Sequence, residues 1–402
     1  MLLKGRKVLL GVTGGIAAYK AAELTRRLID AGATVQAVLT AGATRFVAPL
    51  TFQALTSREA PFELFDSDRE SRISHIELAR GADVIVVAPA TADFVAKMAL
   101  GLADDLLSTL LLAARCPVVV VPAMNTAMWE HPATQANLER LSGWKRHRVV
   151  QPDAGALACG EVGAGRMPDP PLLIEEIRAA LTPQDLQGRQ ILVTAGPTQE
   201  PIDPVRFLTN LSTGKMGFAV ARAARARGAH VVLVSGPVAL DTPPGVLRID
   251  VRTAAEMAGA VLGRADEFDA VIKVAAVADA RPPEPRSAKI RKDELGASLA
   301  LERTTDILSE LVSHREGGRP LLVGFAAETE DLDAAGPRKI AAKGCDLLVA
   351  NRIDEPGAGF GGDTNRAVIF DQDGGREEVP LSTKDNLADR LCERVATMLS
   401  AQ

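Results

Sequence analysis

The sequence predicts an α/β protein built from two doubly wound, Rossmann-like domains. Short apolar runs alternate with helix-period segments, and glycine turns stand where strand passes to helix. The same plan starts afresh after a polar stretch near mid-chain. A length of 402 residues agrees with two or three domains of about 150 residues each.

In chain order, Lys7 to Leu10 reads as a strand, Gly11 to Gly15 as a glycine turn, and Ile16 to Asp30 as a helix stopped by Gly32. Strands follow at Thr34 to Leu39, Asp83 to Ala88 and Pro117 to Val121, with an apolar helix at Ala103 to Ala114. In such sheets ligands bind beyond the carboxyl ends of the strands, here GVTGG, LTAGAT, APATAD and PAMN. Residues 151 to 170 are rich in glycine and proline without a period, and predict a mobile lid or functional loop. After a helix at Pro171 to Leu181, the polar stretch TPQDLQG reads as a linker, giving domains over 1–181 and 188–402. The second half offers strands at Gln190 to Thr194, His230 to Ser235, Ala270 to Ala275, Leu321 to Phe325 and Asp346 to Ala350, with a helix at Gly217 to Arg227. The Pro- and Arg-rich ARPPEPRSAKIRK hangs from one strand end.

Composition excludes several classes. Lys and Arg total 46 against 51 Asp and Glu, a net charge of −5, which provides no general field for nucleic acid or an anionic membrane. The longest apolar runs, such as Val84 to Ala90 and Cys116 to Ala123, are far shorter than the ~18 to 20 residues that span a bilayer. Aromatic residues are only 3%, so the cores are expected to be aliphatic. The N-terminal run is interrupted by charge and lacks a secretory cleavage pattern, so a cytoplasmic protein is expected. Cys116, Cys159, Cys345 and Cys392 are widely spaced with no CxxC pair, which predicts neither a disulfide framework nor a zinc site.

Taken singly, the polar signals stay open. Gly14 and Gly15 suit a phosphate at a helix N-terminus and equally a plain tight connection. His75, in SRISHIELA, is more often a structural helix residue than a catalytic one. Asn125 of PAMN suits a grip on a carboxylate or a turn. Cys159 stands apart, because an exposed glycine loop is a poor home for a structural cysteine, and there chemistry is the better reading. Each lysine in AKIRK and KIAAK, alone, reads as solvated surface.

The ordered set decides. GVTGGIAAYK, SHIELA, APATADFVAKMALGLADDLLST, PAMNTAMW, ACGEVGAGRM, TAGPTQEPIDPVRFLTNLSTGKMG, KVAAVADA, AKIRK, VGFAAET and KIAAKGCDLLVAN follow one another across both halves. Together they resemble the bacterial bifunctional phosphopantothenoylcysteine decarboxylase/phosphopantothenate-cysteine ligase of coenzyme A biosynthesis, over nearly the whole chain. The resemblance implies a flavodoxin-like flavoprotein domain followed by a CTP-binding ligase domain. In the first, FMN accepts a hydride from the carbon bearing the thiol. The resulting thioaldehyde is a sink for the electrons of the departing carboxylate, and CO2 loss leaves an enethiol. Reduced flavin returns the hydride while a lid cysteine supplies a proton. In the second domain, the carboxylate of 4'-phosphopantothenate attacks CTP, giving an acyl-cytidylate and pyrophosphate, and the amine of L-cysteine captures it.

Residue by residue, the resemblance implies Cys159 as proton donor, His75 as the histidine beside the flavin, and Asn125 as the group orienting the substrate carboxylate. It implies FMN contacts at Thr13, Gly14, Gly15, Thr40, Ser108 and Thr109. For the ligase it implies Asn210 in forming or consuming the acyl-cytidylate, Lys289 at the triphosphate, and Arg206 at the substrate phosphate. Further CTP contacts are implied at Lys273, Ala275, Asp279, Asp306, Ile307, Phe325, Lys339 and Lys343, the last two one helical turn apart. Mg2+ is expected with the triphosphate, held partly by substrate because no dedicated carboxylate cage is visible, and its ligands are not assigned. The family also implies flavin sites between subunits and a homo-oligomer, trimeric through the flavin domains and dimeric through the ligase domains, a dodecamer. Two departures stand beside the ligase site: Ala280, where the family often has an aromatic, and Arg291 in the lysine-rich motif. A noncatalytic flavin-binding regulatory protein is the rival reading and would lack His75, Asn125 or Cys159, all present here. A pair of nicotinamide-binding domains would need a GxGxxG turn, which the first glycine turn lacks.

Overall fold

A computed structural model of the chain describes residues 2–64, 75–157, 160–291, 298–328, 332–352, 354, 357, 359 and 361–401. The chain forms two compact units, Met1–Pro183 and Gln184–Gln402.

In the first unit the elements run β1 (Lys7–Val12), α1 (Ala18–Asp30), β2 (Thr34–Leu39), α2 (Pro49–Thr56), α3 (His75–Arg80), β3 (Val84–Ala90), α4 (Ala92–Leu100) and α5 (Leu106–Ala113). Then come β4 (Val118–Pro122), α6 (Thr126–Glu130), α7 (Pro132–Ser142), β5 (His147–Val149), β6 (Asp153–Ala156), β7 (Val162–Arg166) and α8 (Pro170–Ala180). Five parallel strands form a sheet in the order β2-β1-β3-β4-β5, the flavodoxin-like arrangement. Strand residues alternate between two cores. Val8, Leu10, Val84 and Val86 pack with Leu24, Leu28 and Ile177 on one face. Leu9, Ile85 and Val87 pack with Phe94, Leu107 and Leu138 on the other. Burial on both faces is why these strands are continuous apolar runs. Residues 151–170 contain regular structure that composition did not predict: β6 and β7 form an antiparallel hairpin.

The second unit runs β8 (Gln190–Ala195), β9 (Gln199–Pro201), β10 (Phe207–Thr209), α9 (Lys215–Ala226), β11 (His230–Ser235), β12 (Leu247–Asp250), α10 (Ala254–Leu262) and β13 (Ala270–Lys273). It continues with β14 (Ala280–Arg281), β15 (Glu302–Arg303), α11 (Ile307–His314), β16 (Leu321–Glu328), α12 (Leu332–Lys343), β17 (Leu347–Arg352), β18 (Thr364–Asp371), β19 (Arg376–Thr383) and α13 (Lys384–Ala401). The eight-stranded sheet has the order β12-β11-β8-β13-β16-β17-β18-β19. Its first six strands are parallel and take the Rossmann order, and β18 and β19 add an antiparallel edge. Helices α9 and α13 cover one face through Phe218, Val220, Leu387 and Leu391. Met257, Leu308, Leu311 and Ile340 cover the other. No helix among the described residues is long and apolar enough to cross a membrane.

Candidate functional sites

In the first unit a cleft of about 610 Å3 opens at the carboxyl ends of β1, β3 and β4, lined by Gly14, Gly15, Lys20, Asn125, Met128 and Arg166 among others. Thr13 is buried, and its hydroxyl donates to the Pro89 carbonyl (2.7 Å) and accepts from the Thr91 N–H (3.0 Å). It therefore staples the ends of β1 and β3 beneath the cleft. A Cβ on Gly14 would lie 2.6 Å from the Gly42 backbone, so this turn admits only glycine. Thr40 stabilises the opposing turn, its Oγ1 accepting from the Ala43 N–H (3.2 Å).

Asn125 is the N-cap of α6. Its Oδ1 accepts from the N–H groups of Ala127 (2.8 Å) and Met128 (3.3 Å), which directs Nδ2 outward to donate to the Glu161 carboxylate (2.5 Å). The amide thus holds a carboxylate of the chain itself. The hairpin carrying Glu161 lies on the PAMN loop through hydrogen bonds from Met124 N to Gly165 O (3.0 Å) and from Thr126 Oγ1 to Ala164 O (3.0 Å). That approach requires its glycines: a Cβ on Gly163 would meet Thr126 Oγ1 at 2.4 Å, and one on Gly165 would meet the Met124 carbonyl at 2.2 Å. Lys20 Nζ donates to the Met167 carbonyl (3.0 Å) and to Asp169 (3.3 Å), fixing the exit of the hairpin.

The cleft unites Gly14, Gly15 and Asn125. Thr13 and Thr40 support its floor without lining it. Ser108 and Thr109 stand at the start of α5 with their hydroxyls turned to Asp105, Ser108 completing a capping box and Thr109 donating to the Asp105 carbonyl (2.7 Å). His75 opens α3, half-buried and outside the lining. Cys159 lies outside the described residues. Lys20 and Arg166 were not singled out from the sequence; the signal for both was their place inside GVTGGIAAYK and ACGEVGAGRM.

In the second unit a cleft of about 720 Å3 lies at the carboxyl edge of β8, β13, β16 and β17. It brings together Asn210, Lys273, Ala275, Asp279 and Phe325. Thr194, fully buried, accepts from the N–H groups of Val274 and Ala275 (3.1 Å each) and so fixes the strand end beside the cleft. Asn210 Nδ2 donates to the carbonyls of Ala276 (3.1 Å) and Val277 (3.2 Å), tying its loop to the same segment. Burial pushes the Lys273 ammonium below its ordinary value, the Asp306 charge opposes this, and Lys343 adds to it.

The remaining implied CTP residues do not line this cleft. Asp306 caps α11 by accepting from the Ser309 N–H, Ile307 is buried behind it, and Lys343 Nζ meets the Asp306 carboxylate (2.5 Å). Burial raises the Asp306 carboxyl, but the Lys343 and Ser309 hydrogen bonds outweigh it and bring it to about 2. Lys339 pairs with the buried Glu328. Both lysines of KIAAK are therefore held by carboxylates rather than standing as open surface cations. Arg206, expected at a phosphate, donates to the Ile290 carbonyl (3.2 Å), while Asp203 beside it accepts from the Ile290 N–H (3.2 Å). The turn between β9 and β10 thus grips both backbone groups of the residue after Lys289, whose own side chain is exposed.

Sequence reasoning missed the N-terminus of α9. Gly214 (φ 78°) opens the helix without a side-chain cap, and Ser212, Gly214, Lys215 and Gly217 line the cleft, the arrangement that receives an anion. A Cβ on Gly217 would lie 2.5 Å from Ala195 Cβ, so glycine allows α9 to reach β8 closely. The signal was STGKMG, from which only Asn210 upstream had been drawn. Among the described residues no group of three or more His, Cys, Asp or Glu side chains is placed to hold a metal ion.

Comparison with known proteins follows the same division. Residues 2–182 match the flavoprotein family, and residues 186–399 match the DNA/pantothenate metabolism flavoprotein C-terminal domain. The chain is 47% identical over 401 residues to the coenzyme A biosynthesis bifunctional protein CoaBC of Bacillus subtilis, covering 99% of this chain and 98% of that protein. It is 44% identical to CoaBC of Escherichia coli strain K12, over 99% and 98% of the two chains. Among solved structures, the C-terminal domain of a CoaBC aligns at 41% identity over 55% of this chain and 100% of that one, TM-score 0.47. A PPC decarboxylase mutant complexed with pantothenoylaminoethenethiol aligns at 34% identity over 43% and 96%, TM-score 0.39.

Proposed function

Because the chain belongs to the family of bifunctional coenzyme A biosynthesis proteins, with a decarboxylase flavoprotein half and a ligase half, we propose which substrates and residues each half uses. The ligase, residues 188–402, joins L-cysteine to 4'-phosphopantothenate with CTP through an acyl-cytidylate. The decarboxylase, residues 1–181, converts 4'-phosphopantothenoylcysteine to 4'-phosphopantetheine with FMN. The protein works in the cytoplasm as a homo-oligomer, a dodecamer by family resemblance.

One observation carries the ligase reading: an uncapped helix N-terminus, Lys215, Lys273 and Asn210 converge on one cleft at the strand ends. A triphosphate needs fixed donors and cations, and these supply both. The N–H groups at the start of α9 and the Lys273 ammonium bind the phosphates. Thr194 holds the Val274 and Ala275 backbone as a wall for the nucleotide. Asn210 keeps its loop against Ala276 and Val277, so that the activated carboxylate and the amine meet in one orientation. Lys339 and Lys343 serve the nucleotide by exchanging Glu328 and Asp306 for phosphate oxygens, and Lys289 approaches from the segment gripped by Asp203 and Arg206. Mg2+ accompanies the triphosphate, whose oxygens supply part of its ligands.

The first cleft fits a flavin: close-packed glycines leave backbone exposed at Gly14 and Gly15, Ile16 and Met128 give apolar wall, and Lys20 and Arg166 are cationic neighbours. Bound flavin supplies a reversible hydride acceptor. Asn125 Nδ2 binds the substrate carboxylate in the place where Glu161 now sits, His75 acts beside the reacting carbon, and Cys159 delivers the final proton. The test is pyrophosphate release: with CTP and 4'-phosphopantothenate but no cysteine, the protein releases one equivalent per site. No release with CTP present defeats the acyl-cytidylate reading.

A further inference from the structure

The second-unit cleft has an end that the nucleotide reading does not use. The antiparallel strand β18 starts at the carboxyl edge of the parallel strands, because Asn351 near the end of β17 pairs with Ala367. Strand β19 returns there, Thr383 opposite Thr364, and α13 begins at Lys384. Asn351, Asn365 and Lys384 therefore line the cleft together, in the same lining as Lys273 and Asp279.

Two of these groups are buried with hydrogen-bonding capacity to spare. Asn365 is 3% exposed, yet its Oδ1 has no hydrogen-bond partner among the described residues. A buried amide oxygen left bare is unfavourable, and a ligand donor would relieve it. Lys384 is 6% exposed, and its ammonium donates to the carbonyls of Gly359 (2.9 Å) and Gly362. An ammonium has three protons, and the described residues accept two of them, so one remains for an anion. Among the described residues no carboxylate hydrogen-bonds Lys384; the nearby Asp363 is taken by Lys215 (2.6 Å). The site thus offers one orphan acceptor and one buried cation, a pair that matches an amine and a carboxylate on a single small molecule.

We propose that the Asn365 and Lys384 end of this cleft is the binding site for the α-amino acid substrate, its amine donating to Asn365 Oδ1 and its carboxylate accepting from Lys384 Nζ. The proposal rests on the ligase reading above. It also accounts for how an ammonium becomes a nucleophile. Burial lowers the Lys384 ammonium, Lys215 adds to the effect and Asp363 opposes it; an incoming ammonium buried beside these cations loses its proton more readily than in water. The amine then attacks the acyl carbon of the acyl-cytidylate. The C–N bond forms, the anhydride C–O bond breaks, CMP leaves with that electron pair, and the surplus amine proton passes to water.

The experiment uses the full-length protein and separates the two half-reactions. Pyrophosphate exchange into CTP requires 4'-phosphopantothenate but no cysteine, whereas product formation requires both. In Asn365→Ala, exchange should stay within about two-fold of the unsubstituted protein, while KM for cysteine rises about ten-fold, one lost buried hydrogen bond of about 1.4 kcal/mol. Hydroxylamine, which has no carboxylate, should trap the acyl-cytidylate equally in both proteins. In Lys384→Gln, the preference for cysteine over cysteamine should fall about ten-fold. An unchanged cysteine KM in Asn365→Ala with exchange intact overturns the proposal, as does a rise in KM for CTP instead. If the unsubstituted protein shows no exchange, the ligase reading fails first and this one with it. Asn365→Ser, which keeps a small polar group, replaces the alanine variant should that not fold, with the same expected split.

Discussion

Replacing Gly165 by alanine tests how the β6–β7 hairpin is seated in the flavoprotein half. Gly165 has φ 134°, a conformation that costs an L-residue about 1 to 3 kcal/mol. Its new Cβ would also lie 2.2 Å from the Met124 carbonyl oxygen, a backbone atom that cannot swing away like a side chain. The hairpin must lift, and the Met124 N to Gly165 O hydrogen bond goes with it, about 1 kcal/mol more. The sum is about 3 kcal/mol, or about 100-fold in the population of the seated hairpin. Since Arg166 on that hairpin lines the cleft, conversion of supplied 4'-phosphopantothenoylcysteine should slow by about this factor, while cysteine ligation continues unchanged. Gly155→Ala is the control. Its Cβ would have 3.9 Å to the nearest atom and its φ is unstrained, so activity should persist. Near-normal decarboxylation by Gly165→Ala would refute the docking argument, and equal loss in both variants would show that the hairpin is merely intolerant of side chains.

Three other outcomes are expected. In Asp203→Asn, one carboxylate oxygen becomes an N–H2 group that cannot accept from Ile290, so trypsin should cut after Lys289 faster and ligation should slow, with Lys289→Ala masking the second effect. An uncut segment and normal ligation would show that the grip is dispensable. Thr194→Val leaves the N–H groups of Val274 and Ala275 without their acceptor, which should lower the melting stability of the second unit by about 2 kcal/mol and raise KM for CTP. For Asp306, the folded carboxyl titrates near 2 against an ordinary 3.8, so its stabilising contribution is complete above pH 3.8 and is lost as pH falls toward 2. Acid unfolding of the second unit across that window should therefore be less steep in Lys343→Met; identical profiles would discount the Lys343 contact.

The fold class was legible because parallel strands buried on both faces announce themselves. VIVVAPA and VVVVP are apolar at every position and buried at every position. The strand REEVPLST is an antiparallel edge with most side chains exposed, and its sequence carries no such run. The hairpin strands DAGA and VGAGR have almost no strand propensity; contact with the PAMN loop imposes their pairing, which is a tertiary fact. Among site residues, motif order pointed to Asn125, Asn210 and Lys273, whose neighbours are close in sequence or in the sheet. The spacing of Lys339 and Lys343 was readable, but not that Glu328 and Asp306 hold them, since those carboxylates come from other elements. Asn365 and Lys384 were invisible for the same reason: only the return of β18 and β19 to one sheet edge brings them to the cleft.

The central claim, that one chain carries out both reactions, is tested most directly by mass analysis of products after the protein is incubated with 4'-phosphopantothenate, L-cysteine, CTP and Mg2+. The account predicts 4'-phosphopantetheine, with CMP, pyrophosphate and CO2 released in equal amounts. Phosphopantothenoylcysteine accumulating without decarboxylation, or 4'-phosphopantothenate left unchanged, would contradict it.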